Sequence, residues 1–127
     1  WSPPAETATA SQEARERLGT LLHELAGKRL VIHGAGRHTR ELIEQLEGSS
    51  AEIVAVADDD PGAWGGIIGR WRVIDPRRSG ELGATDVILS SKLNESAMWD
   101  RRGVYERQGL RVHRLYGAAS GVVPVPT

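Results

Sequence analysis

The chain has 127 residues, which suits one domain, and its 16 Lys plus Arg against 17 Asp plus Glu leave a formal net charge of −1. That balance removes any general attraction to nucleic acid or to an acidic membrane surface. There is no Cys, hence no disulfide, thiolate metal site or thiol nucleophile; no apolar run approaches the roughly 18 residues of a membrane span and no leader segment is apparent, so a cytoplasmic setting is the expectation.

Residues 1–10, which open Trp1-Ser2-Pro3-Pro4, read as a flexible tail, and residues 118–127 read as a linker-like tail. Both are rich in residues that break regular structure. A single domain is left over 11–117. Because residue 1 is Trp, the expectation is a module taken from a longer polypeptide. Between the tails, Leu18, Leu21, Leu22 and Leu25 form one stripe and predict a helix from Ser11 to Ala26, closed by Gly27. Arg29–His33 is a short apolar strand. After it, Thr39, Leu42, Ile43 and Leu46 repeat at helical spacing and predict a helix over Arg37–Leu46.

Glu52–Ala57 is apolar almost throughout, as in a strand covered on both faces. An acidic, Gly-rich loop is expected from Asp58 to Arg70, then a third strand at Trp71–Ile74 and a brief helical turn through Arg77–Leu82. Thr85–Ser90 is a fourth strand. A helix from Asn94 to about Gln108, weakened at Gly103, precedes a last strand at Leu110–Leu115. Strands alternating with covering segments predict an α/β fold, an open parallel five-stranded sheet of order 3-2-1-4-5 with covering helices and an extra N-terminal helix. In such a sheet the crevice lies beyond the carboxyl ends of the strands, which brings Gly34, Asp58 and Ser90 to one mouth.

The glycine turn His33-Gly34-Ala35-Gly36-Arg37-His38 carries the chemistry. Gly34 permits a tight turn, Gly36 lets backbone approach a ligand, and the first amides of the next helix are expected to point unpaired at a phosphate. The dinucleotide pattern G-x-G-x-x-G is incomplete, since its third glycine is replaced by Thr39. Asp58 ends the second strand about 20 residues on, where a carboxylate holds a ribose hydroxyl and repels a 2′-phosphate, favouring NAD over NADP; equally it is an ordinary strand-end turn residue.

Arg37 is placed to meet phosphate or to be solvated, and His38 to donate to phosphate or base. Ser90 and Ser91 end the fourth strand as ligand-lining hydroxyls or helix caps, with Lys92 beside them. His33 and His113 read as packed strand residues, and no His pair has metal-ligand spacing. No flanking glycines mark Ser90 as a nucleophile, so no catalytic residue is assigned. Trp64 and Trp71 flank Ile67 and Ile68; packing on the sheet edge is expected, with self-association as a homodimer the other reading.

Taken in order, Val31-Ile32-His33-Gly34-Ala35-Gly36-Arg37-His38-Thr39, Ala57-Asp58-Asp59-Asp60-Pro61 with Trp64-Gly65, Gly69-x-x-x-Val73-Ile74-x-Pro76 and Asp86-Val87-Ile88-Leu89-Ser90-Ser91 resemble the small Rossmann-like domains of bacterial polysaccharide and sugar-nucleotide biosynthesis proteins, related to CoA-binding-like modules. The resemblance covers about Lys28 to Gly117. It implies NAD, CoA or a UDP-sugar held at Gly34–Gly36 with Asp58 near the ribose, in the service of a catalytic domain elsewhere in the polypeptide. The hexapeptide repeat that carries the family's acetyltransferase chemistry does not occur here. The reading is therefore a nucleotide-binding module, not catalytic alone, whose site is Gly34, Ala35, Gly36, Arg37, His38, Asp58, Ser90 and Ser91. Two others stay open: a scaffold or dimerisation domain that has lost its ligand, and a small enzyme using His38, Asp58 or Lys92 on a sugar nucleotide.

Overall fold

The computed structural model describes residues 11–117; the two expected tails lie outside them. Helix α1 (Gln12–Glu24) starts where Ser11 Oγ accepts a hydrogen bond from the Ala14 amide, at 3.1 Å, satisfying one of the unpaired donors of the first turn. Its leucine stripe is buried. Strands β1 (Arg29–His33) and β2 (Glu52–Ala57) have the expected bounds. They pair in parallel, and β1 pairs in parallel with β5 (Asp86–Leu89) on its other side.

The sheet has six strands and not five. Its order is β3-β4-β2-β1-β5-β6, with β3 at Ile67–Ile68, β4 at Trp71–Ile74 and β6 at Arg111–His113. The added strand comes from the segment expected to be loop. Ile67 pairs with Arg72 and Ile68 with Trp71, antiparallel, around a two-residue turn in which Gly69 takes φ +61°. This hairpin buries Ile68 and Trp71 against the main core while Ile67 stays exposed. A two-residue strand is too short for alternation to reveal it.

Both long crossover helices are broken. In place of one helix over 37–46 there are α2 (Arg37–Glu41) and α3 (Ile43–Glu47), because the Leu42 amide bonds back to Thr39 O and the Glu41 carbonyl accepts from Arg15 Nη1 of α1. The helix expected over 94–108 is α4 (Glu95–Asp100) followed by α5 (Gly103–Glu106). The amides of Arg101 and Arg102 bond three residues back, and Gly103 restarts the helix.

Alternation along β1 builds two cores. Leu30 and Ile32 face α1 and α3, in a cluster that includes Leu18, Leu22, Leu42 and Leu46. Val31 faces the opposite side with Val87, Tyr105 and Leu110. Each such side chain contributes about 1.5–3 kcal/mol on burial. Covered on both faces, the sheet leaves the carboxyl ends of β2, β1 and β5 as the place where loops gather. No helix of the described residues is long and apolar enough to cross a membrane.

Candidate functional site

Gly34 follows β1 directly. Its amide continues the ladder to Ala57 O, at 2.7 Å, and its φ of +129° turns the chain away from the sheet. A Cβ here would stand 2.5 Å from Ser90 O, so only glycine lets the loop pass β5. Gly36 differs. It has extended backbone with φ −112°, and a Cβ on it would meet nothing within 4 Å.

The loop amides divide into two groups. That of Ala35, expected to point at a ligand, instead donates to Asp58 Oδ2, at 2.8 Å, while Asp58 Oδ1 accepts from the Asp60 amide, at 2.8 Å. Asp58 thus staples the end of β2 to the glycine loop. A carboxylate has about four acceptor positions, so two remain. The amides of Gly36, Arg37 and His38 have no acceptor among the described residues, as the first turn of a helix leaves them. They border a cavity of about 210 Å³, walled by Gly34–His38, Asp58 and the stretch from Ser90 to Asn94.

Thr39 supplies what the missing third glycine would have allowed. It is fully buried, with Oγ1 2.5 Å from Gly34 O and 2.7 Å from Ser90 Oγ, so helix and sheet meet through hydrogen bonds and not through an empty position. His38 is buried too. Its Nδ1 lies 2.8 Å from Ser90 Oγ and its Nε2 2.5 Å from Tyr116 Oη, both within the protein. Proton positions follow from the one group that can only accept. Gly34 O must take the Thr39 hydrogen; Ser90 then donates to Thr39, His38 Nδ1–H donates to Ser90, and Tyr116 O–H donates to Nε2. Burial pushes the His38 imidazole below its usual pKa, against the opposing pull of Glu41, in keeping with this neutral ring.

The remaining predicted residues sit on the rim. Arg37 is exposed and pairs with Glu41, Nε to Oε2 at 3.5 Å. Ser91 Oγ accepts from the Asn94 amide, at 3.0 Å, and lines the cavity with Lys92.

A second cavity, of about 570 Å³, adjoins the first: His33 and Asp59, sequence neighbours of Gly34 and Asp58, line it with Trp64, Pro76, Arg101 and Val104. Trp64 is fixed by its Nε1–H bond to Asp58 O, at 2.7 Å. Asp59 pairs with Arg101 at 2.6 Å. His33 is buried, and Tyr105 Oη lies 2.8 Å from its Nδ1. Nε2 of His33 faces the Asp59 carboxylate, so the ring hydrogen belongs on Nε2 and Nδ1 accepts from the Tyr105 hydroxyl, whose pKa burial pushes well above its usual value. That Nε2 is buried without a hydrogen-bond partner among the described residues, 3.3 Å from Asp59 Oδ2 but out of line with it. Burial pushes the His33 pKa down, and Asp59 opposes this.

Tyr105, Tyr116, Trp64 and Arg101 were not legible as site residues. Only tertiary packing brings them here, and apart from Trp64, which stands in the motif after Asp58, no local pattern marks them. No group of three or more His, Asp or Glu that would hold a metal ion is present among the described residues.

No family model matches this chain, and no curated protein matches its sequence. Solved structures do. UDP-D-quinovosamine 4-dehydrogenase from Vibrio fischeri superposes with a TM-score of 0.56 at 18% identity, over 75% of this chain and 83% of the other. RSP, a Rex-family repressor, gives 0.54 at 18% identity over 83% of this chain, which spans 60% of that one. The same repressor in complex with β-NAD+ and operator DNA gives 0.55 at 18% identity, covering 83% of this chain and 58% of that one. At this identity the likeness defines the fold: a Rossmann-type α/β sheet with helices.

Proposed function

We propose that the domain is a nucleotide-binding module that holds NAD through the glycine loop and acts as an accessory to a catalytic domain of sugar-nucleotide or polysaccharide biosynthesis. The observation that carries this reading is the loop itself. At the carboxyl ends of β1 and β5, the amides of Gly36, Arg37 and His38 lack acceptors, and Gly36 leaves open the space that a phosphate would fill. Asp58 retains acceptor positions for a ribose hydroxyl, and its charge disfavours a 2′-phosphate. Ser91 and Lys92 close the rim, while Ser90 and His38 back the wall as a buried layer. The adjoining cavity suits the base, with Trp64, Pro76 and Val104 as apolar walls and His33 Nε2–H as a donor in need of an acceptor. The structures of RSP with β-NADH and with β-NAD+ are further support, and NAD is put ahead of CoA or a UDP-sugar on that account.

Calorimetry against NAD+, NADP+, CoA and UDP-N-acetylglucosamine tests this. Heat of binding is expected from NAD+ with weaker or no binding of NADP+, and Gly36→Val is expected to abolish it in a folded protein. Silence from all four overturns the proposal in favour of a scaffold that has lost its ligand. One feature favours that second reading: the amide of Ala35 and the side chains of His38 and Ser90 are satisfied by the protein itself.

A further inference from the structure

The Glu95 carboxylate opens α4, just beyond the Ser90–Asn94 wall of the smaller cavity, and is buried. None of its hydrogen bonds goes to its own helix. Oε2 accepts from the amides of Leu115 and Tyr116, at 2.7 and 2.8 Å, and Oε1 from the Gly117 amide and Arg114 Nε, at 2.6 and 3.1 Å. Four donors from four successive residues converge on one carboxylate, which seats the segment after β6 as a unit. Arg114 and Arg102 also stack on the Trp99 ring, with guanidinium carbons 5.0 and 4.2 Å from its centroid.

Seated this way, the segment presents Tyr116 to His38, 78 residues away in sequence. The Tyr116 hydroxyl, which also meets the backbone and side chain of Ser11 at the start of α1, donates into a one-directional relay that runs through His38, Ser90 and Thr39 and ends on the carbonyl of Gly34. The links come from α2 (His38 and Thr39), from the residue after β5 and from the segment after β6, and the relay's last acceptor is the residue whose left-handed turn shapes the cavity. Removing the Tyr116 hydroxyl leaves the buried Nε2 of His38 unsatisfied and frees the wall to rotate.

We infer that Arg114–Gly117 is a latch that positions the glycine loop: docked on Glu95, it holds Tyr116 against His38 and so couples its own docking to occupancy of the cavity at Gly34–Gly36. Loop order without ligand is a property of the latch alone, whereas the coupling rests on the nucleotide reading. By linkage, a ligand that needs the ordered loop binds the docked form better and stabilises docking by the same factor.

Amide hydrogen exchange on wild type, Tyr116→Phe and Glu95→Gln tests both parts. Without ligand, Tyr116→Phe is expected to speed exchange at Gly34, Ala35 and Ser90 about tenfold, the factor set by one hydrogen bond, while Ile32 and Val87 stay unchanged. Glu95→Gln is expected to do the same and to expose the amides of Leu115, Tyr116 and Gly117. Unchanged exchange at Gly34, Ala35 and Ser90 in Tyr116→Phe overturns the latch, as does an Nε2–H tautomer of His38 seen by nitrogen NMR in wild type. With NAD+ as the probe, slower exchange at 115–117 and a several-fold weaker Kd in Tyr116→Phe are expected; NAD+ binding that moves neither overturns the coupling. If NAD+ fails to bind wild type while the loop amides respond to Tyr116→Phe, the nucleotide reading fails and the latch stands.

Discussion

The two glycines of one short turn are expected to fail in opposite ways. An alanine methyl at residue 34 meets Ser90 O at 2.5 Å and must also adopt φ +129°. The backbone conformation alone costs about 1–3 kcal/mol, and displacing the end of β5, which carries Ser90 in the relay, brings the total to about 3–4 kcal/mol. Against the 5–15 kcal/mol typical of a domain this is a large share, and it corresponds to a fall in Tm of roughly 12–30 °C. At residue 36, a valine at φ −112° is sterically ordinary and its Cβ has no neighbour within 4 Å, so stability should stay within about 0.5 kcal/mol while its methyls fill the cavity beside the loop. Urea unfolding followed by circular dichroism measures the first effect, and calorimetry with NAD+ the second. A Gly34→Ala protein with the wild-type midpoint would refute the steric argument; a Gly36→Val protein that binds NAD+ as wild type does would move the ligand away from this loop.

His33 and His38 both have pKa values lowered by burial, so below about pH 6.5 the unfolded chain binds protons that the native one refuses. Stability is then complete above pH 6.5 and falls as pH drops towards the native values, with a limiting slope of about 2.7 kcal/mol per pH unit for two histidines. Urea midpoints between pH 7.5 and 5 should show it, and His38→Gln should roughly halve the slope. Tyr105→Phe removes the donor to His33 Nδ1 and should cost about 1–3 kcal/mol in the same assay, with near-normal secondary structure. Glu95→Ala strands three buried or half-buried amides and the Arg114 guanidinium, and a loss of about 3–5 kcal/mol in urea unfolding is expected.

Local pattern was a reliable guide wherever the physics is local. The leucine stripe of α1, the apolar runs of β1 and β2, and the glycine turn between β1 and α2 were all legible, because periodicity, burial on both faces and backbone permissiveness act within a few residues. The hairpin at Ile67–Trp71 was not, since two residues of strand carry no alternation. The break at Leu42 was not either, since it answers to Arg15 on another element; that between α4 and α5 was signalled only by Gly103, while hydrogen bonds three residues back place it.

The site divides along the same line. Gly34, Gly36 and Asp58 stood out in the sequence by residue type and position relative to the strands. What each does was decided by contacts distant in the chain. Asp58 is spent partly on the Ala35 amide, His38 faces Tyr116 and not solvent, and Thr39 replaces a packing glycine by binding Gly34 O and Ser90 Oγ. A strand, a turn and a helix start are set by neighbours in sequence, and so the chain alone determined where the glycine loop and its unpaired amides would lie. Which donors and acceptors remain free at that place depends on what five parallel strands and the 114–117 segment bring against it, and that only the folded molecule decides.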